Sequence, residues 1–149
     1  MATQPTGTFN FPVGRCFAED LGCPADVLDT LPSSAVASFA GVTWLPRWTA
    51  LSRGNVVVEL GSGAGLDALI AAQTVGANGR VHAIDISDDM VRLARSNADA
   101  AGLCTIQVHQ APVDEMPIDD EIADAAIANG VLNLAPEKER AVAEAFRVL

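Results

Sequence analysis

Basic residues are scarce in this chain: nine Lys and Arg stand against nineteen Asp and Glu in 149 residues, for a formal net charge of −10. Binding a nucleic-acid backbone needs clustered Lys and Arg, and so does attraction to an anionic membrane surface, so neither partner fits. Cysteine is also scarce. Cys16, Cys23 and Cys104 make an odd count with no close pair, which does not suggest a disulfide framework and reads as reduced thiols in the cytoplasm. No metal-ligand spacing occurs, and the two histidines, His82 and His109, stand far apart in sequence. No basic residue precedes Arg15 and no long apolar run is present, so we expect neither a signal peptide nor a membrane-spanning helix.

Half of the residues are hydrophobic and 19% are charged, which is a globular composition of a length that suits one core. Residues 1–17 are rich in Thr, Pro, Gly and Phe and read as an irregular arm. Short helical patterns follow at residues 24–31 and 33–40, with Ser33 and Ser34 offering an N-cap for the second. Trp44 and Trp48 lie on a Pro-interrupted segment and read as core packing. Residues 1–52 are expected to form an arm with lid helices, and residues 53–149 a single globular unit.

From Asn55 onward strands and helices alternate. Val56–Leu60 is a β-branched run ending in an acid and a leucine, and a helix pattern at residues 65–75 follows, closed by Gly76. A second strand spans residues 81–86. Ser87 caps the next helix, with Asp88 and Asp89 favourably placed in its first turn. Further strands are predicted at residues 105–109 and 122–128, and Pro136 opens a last helix. This alternation predicts an α/β fold with a parallel sheet and right-handed crossovers.

Between the first strand and its helix lies the most informative stretch, Glu59-Leu60-Gly61-Ser62-Gly63-Ala64-Gly65. Three glycines at every second position make a tight turn that lets a ligand touch bare backbone, and the helix start points free N–H groups at it. Asp85 ends the next strand, twenty residues after Gly65, where a carboxylate accepts both hydroxyls of a ribose. The dinucleotide fingerprint wants its third glycine one residue later, at the position of Leu66, and no Gly-Lys-Ser or Gly-Lys-Thr follows to make a P-loop. The acidic setting suits a cofactor that carries an amino group and a sulfonium charge. On the residues alone, Asp85 as a helix cap and Asn129 as a turn residue stay open.

The Glu59–Gly65 loop, Asp85-Ile86-Ser87 and Asn129-Gly130-Val131-Leu132-Asn133-Leu134 together resemble the class I S-adenosylmethionine-dependent methyltransferases, on their arsenite-methyltransferase-like branch. Pro136-Glu137-Lys138, the closing Glu144-Ala145-Phe146-Arg147-Val148-Leu149 and the arm segment at residues 35–42 resemble the same branch. The resemblance implies a Rossmann-like sheet in the order 3-2-1-4, without the family's usual last three strands. It implies that Gly61, Ser62, Gly63 and Gly65 line the methionine part of S-adenosylmethionine and that Glu59 supports the loop and the amino group. Asp85 would hold the ribose, Ile86 would pack on the adenine, and Pro112 and Val113 would meet its edge. Asn129 and Gly130 would face the methyl-donor end. No catalytic residue is assigned, because methyl transfer needs alignment more than a dedicated base.

Where the arsenite enzymes carry substrate cysteines, this chain has Gly130 and about Val42, so the acceptor is expected to be an unidentified small molecule. A fourth strand without a neighbour would expose unpaired N–H and C=O groups, so a homodimer or another cover for that edge is expected. Two further readings are a truncated module that binds S-adenosylmethionine or S-adenosylhomocysteine without catalysis, and an NAD-binding Rossmann protein.

Overall fold

In a computed structural model, which describes residues 12–149, the strands β1 (Val56–Leu60), β2 (Arg80–Asp85), β3 (Ile106–Gln110) and β4 (Ala125–Ala128) pair in parallel in the order β3-β2-β1-β4. This is the sheet and order that the sequence implied. Six helices connect or flank the strands: α1 (Arg15–Asp20), α2 (Ala25–Asp29), α3 (Ser33–Ala37), α4 (Leu66–Val75), α5 (Asp88–Ala100) and α6 (Lys138–Val148).

Strand β1 is central, so both of its faces are buried, and its side chains alternate between two cores. Val57 packs with Val81, Ala83 and Ile127 against Ala68, Ala71, Ala72 and Val75 of α4. Val58 and Leu60 pack with Ile84, Val113, Met116 and Ile118 against Ala141 and Val148 of α6. Arg147 fastens α6 to the β3–β4 connection, donating to Glu144, to Asp120 and to the carbonyls of Met116 and Ile118. A third core joins the arm to α4 through Leu28, Leu31, Ala35, Val36, Phe39, Leu66 and Leu69.

Several expectations shift. The arm is helical from Arg15, because the Gly14 N–H donates to the Phe39 carbonyl at 2.8 Å and seats Ala18 in the core; residues 1–11 of the expected irregular stretch lie outside the described residues. Ser33 is the first residue of α3 rather than its cap, the N-cap is Pro32, and the Ser34 hydroxyl instead bonds Asn97 of α5. Trp44 is half-buried, but Trp48 is 73% exposed and is not core. Strand β4 is shorter than expected: the N–H groups of Glu121 and Ala123 donate to the carbonyls of Arg147 and Val148 at the end of α6, not to a strand. The two histidines, remote in sequence, meet on neighbouring strands with His82 Nδ1 3.0 Å from His109 Nε2. All three cysteines are free, with Cys16 and Cys104 exposed. Among the described residues no helix is long and apolar enough to cross a membrane.

Among the described residues the outer edge of β4 has no partner strand, and mainly apolar side chains flank it on both faces. One face shows a groove lined by Leu45, Leu51, Ile70 and Ile127, while the other shows a groove of about 200 Å³ lined by Ala126, Ala128, Leu132, Val142, Phe146 and Leu149.

Candidate donor site

The carboxyl ends of β1 and β2 build the site, as expected for an open parallel sheet. The glycine loop is held from three sides. The Ser62 N–H donates to the Ile84 carbonyl at 2.8 Å, the Gly63 N–H donates to Asp85 Oδ2 at 2.8 Å, and Asn97 Nδ2 donates to the Ala64 carbonyl at 2.8 Å. Gly65 caps α4. Asp85 Oδ1 accepts from the Ser87 N–H at 2.9 Å, and Ser87 caps α5 by accepting from the Met90 N–H. One carboxylate therefore ties the loop to the start of α5, and each of its oxygens keeps a free lone pair. Both readings of Asp85, helix-start support and ligand acceptor, are compatible with this geometry.

Beneath the loop lies an unusual concentration of buried acid. Glu59 is 2% exposed and Asp67 7% exposed. The backbone N–H of Ala68, in the first turn of α4, donates toward the Glu59 carboxyl. Yet Glu59 Oε2, Ser62 Oγ and Asp67 Oδ1 are buried without a hydrogen-bond partner among the described residues. An orphaned buried polar atom costs about 1–3 kcal/mol, so two carboxyl oxygens and a hydroxyl in the β1 end, the loop and the first turn of α4 call for partners. Burial first, then the charges of Asp67 and Asp85, hold the Glu59 carboxyl well above the usual range. Burial also pushes Asp67 up to about 6, against the opposing pull of its hydrogen bond from Asn129. A ligand bearing an ammonium group fits this chemistry: it supplies the missing donors and favours the ionised acids. The space above Gly63 is open, with nothing within 4 Å of where a Cβ would stand.

The remaining candidates divide. Ile86 stands 70% exposed at the end of β2, an apolar face suited to a flat ring. Val113 turns into the core beside Met116, and Pro112 is half-buried next to it, so this segment presents mainly backbone. Asn129 lies at the end of β4, but its amide is taken up by the arm and Asp67. A Cβ on Gly130 would lie 3.5 Å from Val42, so these two positions face each other.

Residues 51–149 match the methyltransferase-domain family. The chain belongs to the class I S-adenosylmethionine-dependent methyltransferases. Within that class it is similar to the arsenite methyltransferase of Halobacterium salinarum, 37% identical over 89% of this chain and 34% of that protein. It is also similar to a phosphatidylethanolamine N-methyltransferase of Cereibacter sphaeroides, 32% identical over 74% of this chain and 55% of that protein. Among solved structures, an arsenic(III) S-adenosylmethionine methyltransferase of Chlamydomonas reinhardtii superimposes with a TM-score of 0.70 at 30% identity, covering 93% of this chain and 46% of that one. This methyltransferase chain thus spans about a third of the Halobacterium relative's length.

Two site residues escaped the sequence reading. Asp67 reads as an ordinary acid in a helix first turn; its signal is that α4 carries no other charge. Asn97 buttresses the methyltransferase loop; its signal is a polar residue on the buried face of α5, beside Val91, Ala94 and Ala98.

Proposed function

We propose that this chain binds S-adenosylmethionine over the glycine loop and takes part in methyl transfer to a small-molecule acceptor. The observation that carries the reading is the trio of buried, unpartnered oxygens on Glu59, Ser62 and Asp67, which asks for a cationic donor where the family places an amino acid. In this reading the backbone of Gly61, Ser62, Gly63 and Gly65 lines the methionine part. The free lone pairs of Asp85 accept the ribose hydroxyls, Ile86 covers one adenine face, and the backbone at Pro112 and Val113 borders its edge. Gly130 borders the space near the methyl group, and Asn129 stands behind it, bonded to the arm and to Asp67. When bound, the cofactor supplies an electrophilic sulfonium methyl. The protein's part is to align an acceptor lone pair with that carbon and exclude water, so no proton-transferring residue is required. The relatives differ in the acceptor that their names state, and this chain's acceptor is an unidentified small molecule. Exposed free thiols at Cys16 and Cys104 support a reducing, cytoplasmic setting.

Isothermal calorimetry with S-adenosylhomocysteine, S-adenosylmethionine and NAD tests the reading. Binding of the two adenosyl ligands without NAD is expected. NAD binding alone would overturn it, and adenosyl binding without turnover of any candidate acceptor would favour a binding module.

We propose further that a second copy covers the β4 edge. The support is a strand with no outer partner among the described residues and mainly apolar grooves on both faces, next to Phe146 at 73% exposure and Leu149 at 48%. Sedimentation velocity is expected to show a dimer that Phe146→Asp dissociates. A monomer whose β4 amides are nonetheless protected from exchange would sink this reading.

A further inference from the structure

One side chain fastens the arm to the end of β4. Asn129 Oδ1 accepts from the N–H of Val42 at 2.7 Å and of Thr43 at 3.2 Å. Its Nδ2 donates to the Thr43 carbonyl at 3.0 Å and to Asp67 Oδ2 at 2.7 Å. A carboxamide offers two lone pairs and two N–H donors, so this one is saturated and has nothing left for a ligand. Gly41 fits tightly around it, since a Cβ there would overlap Nδ2. The last of the four bonds leads to Asp67, a buried acid whose charge acts on Glu59.

We infer that Asn129 is a positioning residue: a latch that holds arm residues 41–43 on the end of β4 and joins them to Asp67 of α4. An N–H donates more strongly to a carboxylate than to a neutral carboxyl. Every charge that acts on Glu59 is negative, from Asp67 and Asp85. Facing Asp67 are Glu59 of β1, Asn129 of β4 and the buried Cys23 of the arm, with Arg15, Glu19 and Asp26 acting on that thiol from the surface. Burial makes Asp67 hold its proton more readily, and with that proton in place the latch is weaker. An ammonium group set among these oxygens reverses the balance, ionises the acids and strengthens the bond to Asn129. Occupation of the donor site then closes the arm, without any contact between Asn129 and the ligand. The coupling to ligand rests on the proposed S-adenosylmethionine reading; the latch itself does not.

Amide hydrogen exchange at Val42 and Thr43 tests it, because both N–H groups are bonded to Asn129 and to no other group named above. Asn129→Ala is expected to lower their protection factors about tenfold or more. In the wild type at about pH 5, where Asp67 keeps most of its protons, S-adenosylhomocysteine is expected to raise them severalfold. Asn129→Asp keeps the shape but sets a second carboxyl against Asp67. Its protection is expected to be near wild type at about pH 5.5, where the pair shares a proton, and lost at about pH 8. A merely structural asparagine would not create that pH profile. Wild-type protection in Asn129→Ala, or an Asn129→Asp profile parallel to wild type, overturns the latch. If the wild type fails to bind S-adenosylhomocysteine, the cofactor reading falls, while the ligand-free comparison of variants still decides the latch. Binding that leaves Val42 and Thr43 protection unchanged overturns the coupling.

Discussion

Asp85→Ala is expected to weaken S-adenosylhomocysteine binding by about a hundredfold. The carboxylate has two free lone pairs after accepting from Gly63 and Ser87, and a ribose offers two hydroxyls. Hydrogen bonds to a charged group contribute roughly 1.5–3 kcal/mol, and each 1.4 kcal/mol is a factor of ten in affinity. The alanine also frees the Gly63 N–H, so part of the loss comes from a looser glycine loop. Asp85→Asn separates the parts. It keeps one acceptor oxygen but turns a donor toward the other partner, so an intermediate loss of about tenfold is expected. Calorimetry reads the affinities, and a melting curve shows whether the loop change reaches the fold. Unchanged affinity in Asp85→Ala would remove the residue from the site and leave it only as a tie between the loop and α5.

Much of this site was legible because its parts are local. The β-branched run of β1, the glycine spacing and the acid at the end of β2 each encode backbone geometry within a few residues. Ser87 could be read as a cap for the same reason, and it is one. What escaped depends on partners distant in sequence. Asn97 gains its meaning from Ala64 and Ser34, 33 and 63 positions away. Asp67 looks like favourable helix-dipole chemistry until Asn129, 62 positions on, is seen to hold it. Helix α1 has only six residues, too short to be stable by propensity, and it exists because Gly14 and Ala18 dock on the arm core. Trp48 misled in the other direction: large aromatics usually find a core, but this ring bonds the Thr43 hydroxyl through Nε1 and otherwise faces outward.

Gly61→Ala and Gly63→Ala are expected to fail in opposite ways, although both glycines have positive φ, 71° and 52°. A left-handed conformation costs a non-glycine residue about 1–2 kcal/mol at either position. At Gly61 the new methyl would also overlap the side chain of Val131, in the segment just after β4. Overpacking adds about 1–3 kcal/mol, because Val131 is itself packed against the core formed with Leu60 and Ile84. Gly61→Ala should therefore lose about 2–5 kcal/mol of stability in urea denaturation. At Gly63 the methyl meets no protein atom within 4 Å, so the fold loses only the backbone term. That open space is where the proposed ligand approaches bare backbone, so Gly63→Ala should lower S-adenosylhomocysteine affinity about tenfold or more while losing only the backbone term of about 1–2 kcal/mol. Equal stability losses in the two variants would contradict the clash at Val131. Full affinity in Gly63→Ala would mean that no ligand lies against the middle of the loop, and the alternate glycines would then serve only the turn.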